Sequence, residues 1–321
     1  MKYSEELIKR FVKDYNLPIQ ITETKYFDYF LDLYEKDLGS STKFEKLLNE
    51  IKNKFDSNES LFLENYYKTR NNIIDTILKS DSYKFFNSMD MKIFNIKKYD
   101  ISKSDVFKET NIGKTFISVD LVKANFQALK YIDKEIVLWC DTYEEFISKF
   151  TDSEYMKNSK YLRQVIFGKL NPSRHISVER HIMGLIMEII KSNNEFDELI
   201  PVSISNDEIV FELPDIKENI EFYTNKIHDL IYSEMDGIET KVVLFNLKGI
   251  KFINERTLKS ETFFETIDLS TGKHKLKCVP VVYYAQVHKF IKNLTVVNID
   301  KLFLYDNNLA ELTDNFKIQY F

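Results

Sequence analysis

The chain has 321 residues, 44% hydrophobic and 30% charged, with a net charge of −5, a composition that suits a globular protein with a sizeable core. Its 7 Gly, 5 Pro and 2 Cys exclude collagen-like or low-complexity sequence, Gly-rich phosphate loops, a disulfide framework and a cysteine zinc cluster. The start, MKYSEELIKRF, is charged and has no apolar signal core. No run approaches the ~18 apolar residues of a membrane span, so the expectation is a cytoplasmic protein with no membrane partner.

Residues 4 to about 90 read as helices. YSEELIKRFVKDYNL opens with a Ser cap and Glu in its first turn, and the following segments keep apolar residues at three- and four-residue spacing, broken at Gly39. From about 91 the texture alternates, and MKIFNIKKYDI and KTFISVDLV predict strands. Residues 121–150 and 155–191 return to helix. EIVFEL is a predicted strand, IKENIEFYTNKIHDLIYSEM a helix and TKVVLFNLKGIKFI a pair of strands. The last seventy residues mix strands (ETFFETIDL, KHKLK) with one helix (VVYYAQVHKFIKN) and a final hairpin, DKLFLYDNNLAEL. The fold class is therefore α+β with a helical N-terminal third.

Two stretches carry possible chemistry. In SNDEIVFEL (205–213) Asp207 and Glu208 stand at the mouth of an apolar strand, an arrangement that is also ordinary turn chemistry. In FISVDLVKANFQAL (116–129) Asp120 ends an apolar strand just before a helical pattern. Between them, from Tyr155 to Lys191, lie seven basic residues and only two acidic ones. The order strand-Asp, cationic helix, strand-turn-strand with Asp-Glu is the one a two-metal phosphoryl-transfer site requires. Carboxylates hold the ions and helix cations hold a triphosphate.

These residues resemble a family. Asn206-Asp207-Glu208 with its apolar strand and the amphipathic helix that follows is similar to motif C of the family A (DNA polymerase I-like) DNA polymerases. Ile117 to Asp120 resembles the start of motif A. YLRQVIFG (161–168) resembles motif B, with a basic residue four positions before a Phe-Gly. The resemblance covers roughly residues 115 to 250, in a reduced, phage-type form. It implies a right-hand polymerase palm: an antiparallel sheet with helices over 91–250, fingers reduced to about 141–191, a thumb-like region over 1–90 and a C-terminal α+β extension over 251–321.

The resemblance further implies template-directed nucleotidyl transfer to a 3′-hydroxyl with two Mg²⁺ ions, or Mn²⁺ in their place, in the cytoplasm of a bacterial host. Its partners would be a DNA or RNA template and primer and nucleoside triphosphates. Asp120 and Asp207 would be metal ligands and Glu208 an auxiliary carboxylate. Lys160 and Arg163 would hold the triphosphate, and Phe167 would lie under the incoming base. Asn125, with Phe126 beside it, would face the sugar, and Lys169, Arg174 and Arg180 would meet nucleic acid. The departures are Asn206 for the motif C His, Asn171-Pro172 for the Tyr-Gly that closes the fingers helix, and Asn125 for a Glu that excludes the 2′-hydroxyl. Reverse-transcriptase motif A, with an aromatic near this position, also fits DLVKANFQAL, and an RNA primer-synthesising primase fits the open sugar position. A catalytically degenerate palm that only binds nucleic acid or a polymerase is the non-enzymatic alternative.

Overall fold

The structure is a computed structural model describing residues 3–94, 101, 106–214 and 219–321. It begins with five helices: α1 (Glu5–Asp14), α2 (Thr24–Leu38), α3 (Ser40–Lys54), α4 (Glu59–Lys79) and α5 (Asp81–Ser88). Local chemistry sets their ends. The Ser4 hydroxyl accepts from the Leu7 N–H, Glu5 and Glu6 occupy the first turn of α1, and Lys13 the last. Gly39, at φ +61, takes the left-handed position that separates α2 from α3. Of the predicted strand MKIFNIKKYDI, residues 91–93 form a short 3-10 turn, and 95–100 lie outside the described residues.

Next come β1 (Thr115–Leu121), α6 (Ala124–Ile132), α7 (Tyr143–Ser148), α8 (Glu154–Asn158), α9 (Lys160–Gly168) and α10 (Pro172–Ser192). The basic stretch is three helices, because the Ser159 hydroxyl starts a new one by accepting from the Leu162 N–H. Pro172, with no N–H to lose, opens the third at its first turn. Beyond them lie β2 (Ile200–Ile204), β3 (Glu208–Glu212), α11 (Ile220–Glu234), β4 (Thr240–Asn254), β5 (Ser260–Asp268), β6 (His274–Lys277), α12 (Val281–Ile291), the hairpin β7 (Leu302–Tyr305) and β8 (Asn308–Glu311), and β9 (Phe316–Tyr320).

The fold is α+β with a large antiparallel sheet, ordered β2-β3-β1-β4-β5-β6, with β9 also on β4. Where two strands were expected over TKVVLFNLKGIKFI, β4 is one strand of 15 residues. It runs across residue 250, so β5, β6 and β9 extend the sheet that contains β1 and β3. Strand alternation gives the sheet two faces. Ile117, Val119, Leu121, Ile209 and Phe211 join the main helical core, where α10 meets β3 and α11 meets β4. Phe116, Val210, Phe245 and Phe264 form a smaller cluster on the opposite face, and the polar residues in phase with them are left to line a cleft.

Candidate active site

The register of β1 and β3 decides which carboxylates meet. Asp120 lies directly opposite Glu208, and the Leu121 N–H donates to the Asp207 carbonyl across 2.8 Å. Opposed residues of an antiparallel pair have Cα atoms roughly 5 Å apart, so Asp120, Asp207 and Glu208 converge although 87 residues separate the first two in sequence. On the other side of β1, Lys241 of β4 is the register partner of Asp120.

Asp120 and Glu208 share the sheet face opposite the helices. With Ser118, Lys241, Asp268 and Lys275 they line a cleft of about 190 Å³. The Ser118 hydroxyl donates to Glu208 Oε1 at 2.6 Å and fixes that carboxylate one step along the face. Asp207, in the turn just before β3, is exposed and is not among the residues that line the cleft; its Oδ1 accepts from the Ser205 hydroxyl at 3.0 Å. Burial, then repulsion from Glu208 and Asp207, pushes the Asp120 carboxyl up to about 6; Lys241 and Lys160 act in the other direction. A cation at this point would relieve that repulsion.

Behind Asp207 lies a polar layer. The Asn125 amide donates to Glu179 Oε1 of α10 at 2.5 Å, and Arg180 Nε donates to Asn206 Oδ1 at 2.7 Å, tying α10 to the β2–β3 turn. Burial, with Asp207 adding repulsion, raises the Glu179 carboxyl to about 7.

The other expected residues divide by position. Lys160 is exposed at the start of α9 and near enough to Asp120 to favour its ionised form. Arg163 places its guanidinium 5.5 Å from the Tyr143 ring centroid, beside Glu144, and no described contact joins it to Asp120. Phe167 and Phe126 are each 1% exposed. Phe167 contacts the rings of Tyr143 and His175, and Phe126 those of Tyr143 and Phe146. Neither offers a ring face to a nucleotide: the Phe that the motif B resemblance places under the incoming base, and the one beside the sugar, are both packed in the core. Arg174, assigned to nucleic acid, gives both terminal nitrogens to the Met89 carbonyl at 2.8 and 2.9 Å and braces the end of α5. Lys169 is exposed.

Among the described residues no group of three or more His, Cys, Asp or Glu side chains is arranged to hold a metal ion. Magnesium is commonly held by one or two carboxylates, with water and substrate phosphate filling its other positions. Asp120 with Asp207 or Glu208 suits that mode, being hard oxygen donors already crowded by like charge. Comparison with protein-family models, curated proteins and solved structures finds no match. Among the described residues no helix is long and apolar enough to cross a membrane.

Proposed function

We propose that the chain is a template-directed nucleotidyltransferase, a small family A-like DNA polymerase whose palm is the sheet carrying Asp120, Asp207 and Glu208. The observation that supports this reading most is their convergence at the paired ends of β1 and β3, where Asp120 and Glu208 line a cleft whose walls also carry lysines. Asp120 and Asp207 hold the metal pair, and Glu208, fixed by Ser118, orients the primer end beside them. Bound Mg²⁺ would activate the 3′-hydroxyl and stabilise the leaving pyrophosphate. Lys160 adds positive potential on the side from which a triphosphate would approach. The test is incubation with primed and unprimed DNA and RNA templates, with dNTPs or NTPs supplied separately. Extension of a DNA primer with dNTPs supports the first choice. Synthesis without a primer, or on RNA only, moves the assignment to a primase or a reverse transcriptase.

A second reading has its own support. Arg163 leans on Tyr143 and Phe167 lies in the core, so two of the groups the resemblance assigns to the nucleotide are not turned to the cleft. A degenerate palm that binds nucleic acid without extending it would show binding in the same assay and no incorporation.

A further inference from the structure

The last third of the chain supplies one wall of the cleft. Lys273, Lys275 and Lys277 alternate along β6 and its entry, so they share a face, and with Lys241 they line the same cleft as Asp120 and Glu208. The three β6 lysines also line a larger cleft of about 510 Å³, which the loop before α2, the end of α2 and α12 close on their far side. The two clefts therefore share one wall at the edge of the sheet, formed by these lysines. Among the described residues none of the four amines has a carboxylate within salt-bridge reach, and only Lys277 has a side-chain partner, the Phe107 ring at 5.6 Å. Burial, then repulsion from Lys241 and Lys277, holds the Lys275 ammonium below its ordinary value. Asp268 and Asp120 act in the other direction without reversing that shift, and like charges gathered in this way destabilise a fold unless an anion neutralises them further.

We infer that Lys241, Lys273, Lys275 and Lys277 are the track along which a single nucleic-acid strand reaches the carboxylates, its successive phosphates paired with successive amines. The inference rests on the reading of Asp120 and Glu208 as the nucleotidyl-transfer centre. Alternate residues of a strand lie roughly 6.8 Å apart, a step comparable with the repeat of an extended sugar–phosphate chain. Groove, charge and repeat agree on a polyanion, where an isolated phosphate would need only one or two of the amines. Lysines on an edge strand also discourage sheet-to-sheet aggregation. That role gives no reason for them to turn towards two carboxylates and predicts no nucleic-acid binding.

The test is fluorescence anisotropy of an end-labelled single-stranded oligonucleotide between about 50 and 200 mM salt, with wild type, the Lys273→Gln/Lys275→Gln/Lys277→Gln variant and Lys275→Gln alone. Each lost phosphate contact should flatten the plot of log affinity against log salt by about 0.7, so the triple variant should be shallower by about 2. Unchanged affinity and slope in both variants overturns the track. So does a triple variant that loses only its competition by inorganic tripolyphosphate, which would assign the amines to a nucleotide's phosphates. The measurement requires no turnover. Weakened binding in variants of a chain that never extends a primer keeps the track and removes the transfer reading. Extension by wild type with unaltered binding in the variants does the reverse.

Discussion

Burial beside Glu208 and Asp207 holds the Asp120 carboxyl up at about 6, so its ionisation near neutral pH works against the folded state. The sign follows from proton uptake: between its ordinary value and about 6 the native chain binds the proton and the unfolded chain does not, so stability falls as pH rises through that window. Asp120→Asn should therefore stabilise the protein at pH 7, by ~1 kcal/mol after solvent screening of a partly exposed group, while removing activity. A chemical-denaturation midpoint lower than that of wild type would contradict this. Mg²⁺ should raise the wild-type melting temperature and leave that of Asp120→Asn unmoved. His175 has the opposite sign. It is 1% exposed, neither ring nitrogen has a hydrogen-bond partner among the described residues, and burial pushes it down to about 4. From about pH 6.5 down to 4 the unfolded chain takes up a proton that the native state refuses, at a cost of up to roughly 3 kcal/mol. Denaturation at pH 7 and pH 4.5 should show a smaller loss in His175→Phe than in wild type; equal losses would remove the argument. Asn125, which the resemblance places at the sugar, is held by Glu179, and an amide can accept or donate to a 2′-hydroxyl. A dNTP preference of about tenfold or less, worth roughly 1.4 kcal/mol, is expected from competition kinetics. Rejection of NTPs by ~10³-fold would mean that another group closes the gate.

Elements were legible wherever the signal is local. The Ser4 cap and the left-handed turn at Gly39 stand in the sequence where the structure has them, and Asn171-Pro172, where the sequence suggests an early end to the fingers helix, separates α9 from α10. Strand β4 was not legible in this way, because Gly249 reads as a turn between two short strands. A Cβ at Gly249 would lie 2.3 Å from Ile112 Cδ1 and 2.7 Å from the Phe321 ring. The residue is glycine because two side chains from distant parts of the chain close over the strand, not because the strand turns. Gly249→Ala should cost about 1–3 kcal/mol through that overlap, read by urea denaturation; a midpoint equal to wild type would show that Ile112 and Phe321 give way freely. Strand β9, which pairs with β4, was also not singled out, although FKIQY alternates apolar and polar residues; its pairing with β4 is a long-range contact that five residues do not specify. The site divides along the same line. Asp120, Asp207 and Glu208 announce themselves by strand-tip placement, whereas Ser118, Lys241 and Lys275 join them only through sheet register, a long-range property that no local spacing encodes.

At the scale of the molecule, the N-terminal helices are bound into the rest of the chain by buried polar contacts. Asp14 accepts from the hydroxyls of Tyr66 and Tyr155, linking α1 to α4 and α8. Asp37 at the end of α2 pairs with His288 and Lys292 of α12 and the residue that follows it, and Tyr29 of α2 donates to Asp300. The helices that the resemblance assigns to a thumb thus contact both the segment assigned to fingers and the C-terminal region, and the cleft of about 510 Å³ lies between them and β6. On the proposed reading, this assembly positions Asp120 and Asp207 for nucleotidyl transfer. The most direct test is extension of a labelled primer on a DNA template with dNTPs and Mg²⁺ by wild type, Asp120→Ala and Asp207→Ala. Extension by wild type with losses on the order of 10³-fold or more in each variant is the expected result. Near-normal extension in either variant, or none by wild type on any primed or unprimed template, would contradict it.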